Sequence, residues 1–415
     1  MKVLIISNSD LHGGAAIASY RLHQSLKESN VPSIMMVRIK LSHDYTVIGP
    51  KGKFKKVTNK IRASIGSIIN RLHTKEVRGF RSGNWLPSNW ARIINKMDVD
   101  LVHIHWVGAE TLSIEDLGRI KKPIVWTLHD MWSFCGTEHY VADNEENKWL
   151  NGYKNKHLLN LERIVWNRKN RSWGENINIV SPSNWLTECA QRSLLFKNNR
   201  HYTLPNILDI NIFKPIEQKL CRKILNLSEE KKIILFGAFG GSGDLRKGYD
   251  LLTEAIQELA KTNKNSNDFE CLIFGQSKPE EDIDLPVQVK WLGHIHDDTT
   301  LALVYNAANV MVVPSRQDNM PQTATEAQAC GCPVVAFNCT GFPDIVKHKE
   351  TGYLARPYDP SDLAAGISWV LNNTDNEKQL GINAAKTANE KWSAANLIPK
   401  YLKLYQDVVD SGKDK

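Results

Sequence analysis

The sequence contains no long hydrophobic run. None of its 415 residues falls in an uncharged apolar stretch of about 18 residues, so we expect no helix that spans a membrane. The N-terminal apolar stretch Met1–Ile6 is too short for a signal peptide, and it predicts a first β-strand instead. Both observations lead us to expect a cytoplasmic protein.

Cysteine is scarce and lacks paired spacing. The seven cysteines make an odd number, and Cys330-Gly331-Cys332 does not have the two-residue spacing of a zinc knuckle. We therefore expect reduced, mostly structural thiols and no metal site.

Two common nucleotide-binding motifs are also missing. No GxGxxG follows the first strand, which disfavours a dinucleotide cofactor. The glycine loop Phe236–Gly243 runs into Asp244–Gly248, but no Ser or Thr comes after Lys247. The P-loop pattern is therefore incomplete, and ATP hydrolysis is disfavoured.

The positive charge is concentrated in one segment. Of the net charge of +8, ten basic residues against the single acid Glu76 lie between Lys51 and Arg81, so this window carries +9. Such a patch attracts phosphates, anionic lipid or nucleic acid, and a solvated helix face is the alternative. Apolar residues at helix-like intervals favour an anionic membrane surface (Ile61, Ile65, Ile68, Ile69, Leu72). Nucleic acid is disfavoured because no recognition module accompanies the charge.

Apolar runs of strand length recur along the chain, each followed by helix-like patterning. In the first half they are Val3–Ser7, Ser33–Val37, Leu101–His105, Ile124–Leu128 and Ile177–Val180. In the second half they are Lys232–Phe236, Cys271–Phe274, Val289–Trp291, Val310–Val313 and Val334–Ala336. This alternation predicts an α/β protein with two doubly wound parallel sheets. We expect domains at 1–205, with a basic insertion at about 51–96, and at 206–385, followed by terminal helices at 386–415.

Glycines and cations occur where such sheets bind ligands, just after the strands. Gly13 and Gly14 precede the first helix, where backbone amides and the helix dipole favour an anion, although a tight turn is the alternative. Arg246 and Lys247 end the second glycine loop, an arrangement that suits a diphosphate, with a solvated loop as the alternative.

The most informative stretch runs from Val313 to Val335. Asp318 ends a polar loop, a helix is expected from about Gln322, and Glu326 follows eight residues after Asp318. The two acids can face one ligand from two sides, with the helix N-terminus between them. Here the chain resembles the family-4 retaining glycosyltransferases of GT-B fold, whose signature is an acid, seven residues and Glu.

The resemblance extends over nearly the whole chain. Val180–Ser183 and Leu204–Asn206 resemble the segments by which the family leaves its first domain. Trp126–Trp132, together with Asp244–Gly248, is similar to bacterial enzymes of capsule, O-antigen and colanic-acid synthesis. The resemblance implies two Rossmann-like domains facing across a cleft, with the C-terminal helices returning to the first domain. It also implies transfer of a hexosyl group from a nucleotide sugar to a glycan or a polyprenyl-diphosphate-linked acceptor, without cofactor or metal.

The resemblance also implies roles for individual residues. Glu326 would bind the ribose, and Asp318 the transferred sugar. Lys247, Arg246 and the amides of Gln322 and Thr323 would hold the diphosphate. The remaining positions lie in the first domain, with His129 beside the donor sugar and Gly13-Gly14 beside its phosphate. Departures from the family pattern are Asp318 in place of Glu, Ala238 in place of Arg, and Pro321 in place of Gly.

Other interpretations remain open. Asp98-Val99-Asp100 imitates a metal-binding DxD motif, but it leads directly into a strand. His103 and His105 share one strand face like metal ligands, with cleft lining or core as the favoured alternative. A GT-B-shaped epimerase or phosphorylase is a second enzyme class, and a catalytically silent glycan- or lipid-binding scaffold is a third hypothesis.

Overall fold

The computed structural model describes residues 1–72, 79–141, 147–154, 160–237, 243–262, 268–278, 285–372 and 374–413. The chain divides into two compact units. The first comprises Met1–Ile207 together with Leu397–Lys415, and the second comprises Leu208–Asn396. The divisions expected from the sequence lay at 205 and 385.

The first unit is built on a seven-stranded parallel sheet of order β3-β2-β1-β4-β5-β6-β7. Its strands are β1 Val3–Ser9, β2 Ser33–Ile39, β3 Val47–Ile48, β4 Leu101–Ile104, β5 Ile124–Thr127, β6 Ile177–Ser181 and β7 His201–Thr203. Its helices are α1 Gly14–Glu28, α2 Lys53–Leu72, α3 Trp90–Lys96, α4 Ile114–Gly118, α5 Leu161–Ser172, α6 Asn184–Arg192 and the terminal α14 Ala394–Lys413. Helix α14 lies against this sheet, since the Tyr405 hydroxyl is 2.7 Å from Nδ1 of His103 in β4.

The second unit has a six-stranded parallel sheet of order β10-β9-β8-β11-β12-β13. Its strands are β8 Lys232–Gly237, β9 Phe269–Phe274, β10 Gln288–Gly293, β11 Val310–Val313, β12 Val334–Phe337 and β13 Gly352–Ala355. Its helices are α7 Gln218–Ile224, α8 Tyr249–Thr262, α9 Asp298–Ala307, α10 Gln322–Ala329, α11 Phe342–Ile345, α12 Pro360–Leu371 and α13 Thr374–Trp392.

The central strands of both sheets are buried on both faces. In β4, β5, β11 and β12 every residue is buried, which is why these segments are apolar except for His103 and Thr127. Helices cover both faces, as crossover connections between parallel strands require. The predicted fold class, with two Rossmann-like parallel-sheet domains, is confirmed. Each helix in the described ranges is too short or too polar to span a lipid bilayer.

Candidate functional site

The second unit brings its predicted site residues together at the carboxyl edge of its sheet. Strands β8 and β11 are neighbours, so the segments that follow them meet at this edge. After β8 the short 3-10 turn Leu245–Lys247 carries the two cations, and after β11 the loop to Pro321 carries Asp318. Residues 238–242 of the predicted glycine loop, including Ala238, lie outside the described residues.

Asp318 is paired with both cations of the turn. Lys247 Nζ lies 2.6 Å from Asp318 Oδ2, and one guanidinium nitrogen of Arg246 lies 3.5 Å from the same oxygen. Burial alone would raise the pKa of Asp318, but the positive charges of Lys247 and Arg246 hold it below its ordinary value. Arg246 also donates to the Gln317 carbonyl oxygen at 2.8 Å and to Asp244 at 3.0 Å. The carboxylate is therefore ionised and fixed in place.

Two glycines permit this close approach of loops. Gly248 follows Lys247 with a φ of 69°, and a Cβ atom there would lie 1.9 Å from the carbonyl oxygen of Pro314. Gly341 donates its amide to the Asp318 carbonyl oxygen at 3.0 Å, and a Cβ atom there would lie 1.5 Å from the Asn319 carbonyl oxygen. Any larger residue at either position would push backbone apart and displace the acid or the lysine.

Helix α10 adds its N-terminus and a second acid. The first described helical hydrogen bond runs from the Ala324 amide to the Pro321 carbonyl oxygen, so the amides of Gln322 and Thr323 lie ahead of it. This end of the helix carries partial positive charge, which favours an anion. Glu326 lies one turn further on, is 3% exposed, and accepts a hydrogen bond from the Tyr305 hydroxyl at 2.9 Å.

In the first unit, the predicted glycines and histidine lie at the carboxyl edge of the other sheet. Gly13 has a φ of 91°, and a Cβ atom there would have nothing within 4 Å, so the backbone borders open space. Helix α1 begins at Gly14, directly after it. His129 follows β5, two strands from β1 in the sheet order, and is partly exposed.

His129 is hydrogen-bonded to His105, which follows the intervening strand β4. Nδ1 of His105 lies 2.9 Å from Nε2 of His129. Burial lowers the pKa of His129 to about 4, although the Asp130 carboxylate opposes the shift. Burial also lowers the pKa of His105 well below its ordinary value. Both rings are therefore neutral at neutral pH, which suits hydrogen bonding and disfavours charge stabilisation by an imidazolium.

His103 is a core residue. Its Nδ1 lies 2.7 Å from the Tyr405 hydroxyl, its Nε2 lies 2.7 Å from the Thr127 hydroxyl, and the side chain is fully buried. Among the described residues no group of three or more His, Cys, Asp or Glu side chains is arranged to hold a metal ion. The geometry therefore fits the core alternative for His103, whereas His105 is hydrogen-bonded to His129.

The acids of the DxD-like stretch lie at the opposite edge of the first sheet. Asp100 precedes β4, and its Oδ2 accepts a hydrogen bond from the Lys2 amide at 2.7 Å. Asp98 lies 3.5 Å from Nζ of Lys2 and is exposed. These contacts join the amino ends of β1 and β4, away from the edge where Gly13 and His129 lie.

Sequence reasoning missed a hydrogen-bonded group next to His129. Asp130 accepts hydrogen bonds from the Trp106 indole at 2.8 Å and from His139 at 2.6 Å through one oxygen, and from the Trp132 amide at 2.9 Å through the other. His139 in turn lies 2.9 Å from the Ser82 hydroxyl. Asp130 lies within the motif Trp126–Trp132, but its side-chain partners come from other segments, and no sequence pattern predicts that they meet.

The basic window contains helix α2, and the structure turns two of its cations inward. Arg62 donates to the carbonyl oxygens of Leu86 and Pro87 at 2.6 and 2.8 Å, and Arg81 donates to Glu162 at 2.8 Å. Both cations therefore help to fix local structure. Several residues of the window lie outside the described part, either completely (residues 73–78) or as side chains (Lys55, Lys56, Lys60, Arg71, Leu72).

Two family models match the chain. The model described as Glycosyltransferase Family 4 matches residues 39–211, and the model described as Glycosyl transferases group 1 matches residues 217–387. An uncharacterised glycosyltransferase of Methanocaldococcus jannaschii is 30% identical over 359 residues, which cover 77% of this chain and 100% of that relative. The chain belongs to the GT-B glycosyltransferases.

The transferase also has the fold of several solved structures. Sucrose-phosphate synthase from Thermosynechococcus elongatus gives a TM-score of 0.66 at 18% identity and 99% coverage of both chains. Anabaena HepE in complex with UDP-glucose gives 0.63 at 18% identity and 100% coverage of both. At such identities the likeness establishes the fold alone. The prediction of a GT-B glycosyltransferase is confirmed, and the narrower resemblance to capsule and O-antigen enzymes stays a prediction.

Proposed function

We propose that this transferase moves a hexosyl group from a nucleotide sugar to a glycan acceptor with retention at the anomeric carbon. The observation that carries the proposal is the Lys247–Asp318 pair, 2.6 Å apart, beside the N-terminus of α10 at the carboxyl edge of the second sheet. A cation and helix amides suit a diphosphate, and the two acids suit sugar hydroxyls.

The chemistry requires stabilisation of a leaving group. The bond between the anomeric carbon and the diphosphate oxygen breaks, and a bond from the acceptor hydroxyl oxygen forms on the same face. The hydroxyl proton passes to the departing phosphate oxygen. Lys247, Arg246 and the amides of Gln322 and Thr323 are proposed to stabilise the negative charge on the diphosphate without a metal. Glu326 is proposed to accept hydrogen bonds from the ribose hydroxyls.

The residues of the first unit complete the proposal. Gly13 and Gly14 border open space before α1, which suits a phosphate. The neutral His129 is proposed to lie beside the donor sugar as a hydrogen-bonding group. The UDP-glucose complex of HepE, a protein of the same fold, supports starting with uridine nucleotides.

Thermal unfolding with a panel of nucleotide sugars tests this function. A ligand at 100 times its dissociation constant stabilises the folded state by about 2.7 kcal/mol, which is readily measured. We expect one nucleotide class to raise the melting temperature of the wild type and to have less effect on Lys247→Met. Transfer with the matching donor, followed by the anomeric proton coupling in NMR spectra, reports retention. No stabilisation and no donor turnover across the panel would contradict the proposal.

The rival functions give different outcomes in the same assay. An epimerase would convert the donor sugar without any acceptor. A phosphorylase of this fold would require a pyridoxal-phosphate lysine, visible by its absorbance. A silent scaffold would bind the nucleotide without hydrolysing or transferring the sugar.

The acceptor we propose is a polyprenyl-diphosphate-linked glycan of surface polysaccharide synthesis, such as capsule or O-antigen, at the inner face of the cell membrane. Support comes from α2, which carries six basic and no acidic residues in 20 positions. Its polar residues hold it to the first unit, through Asn59 to the Arg38 carbonyl oxygen at 3.1 Å and Asn70 to the Arg81 carbonyl oxygen at 3.0 Å. Its apolar stripe faces outward: Val57, Ile61, Ile65 and Ile68 are 39–56% exposed.

This arrangement is the reverse of an ordinary surface helix, which buries its apolar side. An exposed apolar stripe on a cationic helix matches an anionic lipid surface better than water or nucleic acid. We therefore propose peripheral association of α2 with the anionic cytoplasmic leaflet.

A further inference from the structure

His105 has one ring nitrogen that protein atoms leave unused. Its Nδ1 bonds to His129, but its Nε2 has no hydrogen-bond partner among the described residues, although the side chain is only 2% exposed. Buried polar atoms are almost always hydrogen-bonded to protein or to ordered water. We therefore expect Nε2 of His105 to have a hydrogen-bond partner that is not a protein atom.

A second unused polar atom lies at the same place. The Ser133 hydroxyl is also without a partner in the described structure and is 3% exposed. Both side chains line one small cavity, whose lining also includes the polar His129 and Asp130 beside apolar groups such as Leu128. Two buried hydrogen-bonding groups without a partner, next to these polar side chains, indicate a built polar site.

The size of the cavity limits its occupant. Its volume is about 10 Å³ for the centres of water-sized molecules, which is the room that one water needs. A sugar or a phosphate does not fit. A metal ion would need further ligands, and no group suited to hold one is present in the described ranges.

We propose that this cavity binds a single water molecule, which bridges Nε2 of His105 and Oγ of Ser133 and so couples the tautomers of the His105–His129 pair to the orientation of the Ser133 hydroxyl. The two imidazoles share one proton in their hydrogen bond, because one ring must donate and the other accept. Whichever ring donates, His105 presents the opposite character at Nε2 from the one it uses at Nδ1. The water and the Ser133 hydroxyl can each donate or accept, but all hydrogen bonds along this chain must run in one direction, so the two rings and the bridge change their proton positions together.

The consequence for catalysis rests on the proposed function. His129 faces His105 on one side and is followed by Asp130, whose carboxylate is occupied by Trp106 and His139. His103 packs against His105, with ring centroids 4.4 Å apart, and is hydrogen-bonded to Tyr405 and Thr127. His105 and Ser133 are therefore positioning residues, because the direction of their hydrogen-bond chain is linked to which nitrogen of His129 carries its proton.

Long-range proton–nitrogen NMR on the full chain with nitrogen-15-labelled histidine tests the tautomers without substrate. Signals of His105 and His129 are assigned by their loss in His105→Gln and His129→Gln. In the wild type we expect each ring to show one neutral tautomer. Ser133→Ala should move the His105 nitrogen shifts toward the average of both tautomers, and those of His129 with them. Ser181→Ala is the matched control, since its hydroxyl is equally buried and unpartnered but does not line the cavity.

A high-resolution crystal structure gives an independent readout. Density for one water between His105 and Ser133, lost or displaced in Ser133→Ala, supports the proposal. Unchanged nitrogen shifts in Ser133→Ala, or a dry cavity, overturn it. Because neither measurement uses a donor, absence of glycosyl transfer would refute the proposed function and leave this test intact. A tautomer change without any fall in kcat would remove only the catalytic consequence.

Discussion

Arg316 donates two hydrogen bonds to the Asp250 carboxylate, of 2.8 and 2.7 Å. The pair joins the loop after β11 to the start of α8. The same guanidinium donates to the Leu245 carbonyl oxygen at 2.7 Å, and the Arg316 amide donates to the Arg246 carbonyl oxygen at 2.8 Å. The turn that carries Lys247 is thus tied to the loop that carries Asp318. A paired, planar contact of this type fixes geometry as well as adding energy.

Asp250→Asn is therefore expected to weaken nucleotide binding although Asp250 is not itself a proposed ligand. Loss of the ion pair frees the turn, so the lysine and the acid are no longer held together. We expect the dissociation constant of the nucleoside diphosphate to rise severalfold, measured by calorimetry, with the fold retained. Asp362→Asn is a control, since Asp362 pairs with Arg356 in the same unit at 3.3 Å. Equal effects of the two variants would contradict the positioning role.

Glu326→Ala should weaken nucleotide binding while leaving the fold intact. Hydrogen bonds to a charged group contribute about 1.5–3 kcal/mol, which corresponds to about tenfold to a hundredfold in affinity. Tyr305→Phe is the companion variant, because it removes the hydroxyl that Glu326 accepts from and leaves the carboxylate. We expect its effect on affinity to be smaller. Unchanged nucleoside diphosphate affinity in Glu326→Ala would remove this residue from the site.

The sequence pattern was sufficient to predict the strands that are buried on both faces of the sheets. Strands β11 and β12 are apolar throughout, and β4 and β5 each contain one polar residue, His103 and Thr127, so their pattern has few alternatives. The strands that escaped prediction are β3, β7 and β13, at or near sheet edges, with two to four residues each. Strands β3 and β7 have too few positions for a pattern. Strand β13 has four residues, but two of them are only half-buried, so no continuous buried run marks it in the sequence.

For the site, the adjacency of β8 and β11 could be expected from the fold, and it predicts that Lys247 and Asp318 lie at the same edge of the sheet. The contacts that support this pair could not be predicted. Arg316 and Asp250 are 66 residues apart, and the local sequence around either residue does not predict that they form a pair. The same holds for His139 with Asp130, and for Arg62, whose carbonyl partners carry no side-chain signature.

Acid should destabilise the first unit through its buried histidines. Burial lowers the pKa of His23 and of His129 to about 4, and that of His103 to about 3. In the unfolded chain these groups titrate near pH 6.5, so unfolding takes up protons below that value. The contribution of these neutral histidines to the free energy of unfolding is thus fully present above about pH 6.5, and it is lost as the pH drops toward 4. Each histidine adds a slope of about 1.4 kcal/mol per pH unit.

Tryptophan fluorescence in urea follows this transition, because nine of the twelve tryptophans lie in the first unit. His103→Gln should give a shallower pH dependence of the unfolding free energy than the wild type. His43→Gln, at an exposed position, should keep the wild-type slope. A pH-independent free energy between 6.5 and 4 would show that these rings are not neutral in the folded chain.

Transfer activity should survive EDTA. The proposal assigns the leaving-group charge to Arg246 and Lys247, and Asp98 and Asp100 lie at the opposite sheet edge from Gly13 and His129. Asp98→Asn should therefore keep its activity, whereas Lys247→Met should lose it with or without added metal. If EDTA abolished transfer activity and manganese or magnesium restored it, the result would contradict metal independence and support a metal site at Asp98-Val99-Asp100.

Helix α2 should bind the full chain to anionic vesicles. Sedimentation with phosphatidylglycerol-containing and pure phosphatidylcholine vesicles, across a salt series, separates the electrostatic part from the apolar part. Changing Ile61, Ile65 and Ile68 together to Ser should reduce binding at every salt concentration. The matched control changes Leu220 and Ile224 to Ser, because these residues are comparably exposed on α7 of the other unit.

The charge contribution is tested separately with Lys53→Gln, Lys55→Gln and Lys56→Gln in one chain. Each cation near an anionic leaflet contributes about 1 kcal/mol, so three should cost about a hundredfold in binding at low salt. High salt should weaken the wild type toward this variant, since screening acts on the same charges. Arg62 should not be replaced in this experiment, because it anchors α2 through two carbonyl oxygens and its loss would move the helix itself. Equal binding to both vesicle types, or none to either at low salt, would contradict membrane association, and a soluble glycan acceptor would then take its place.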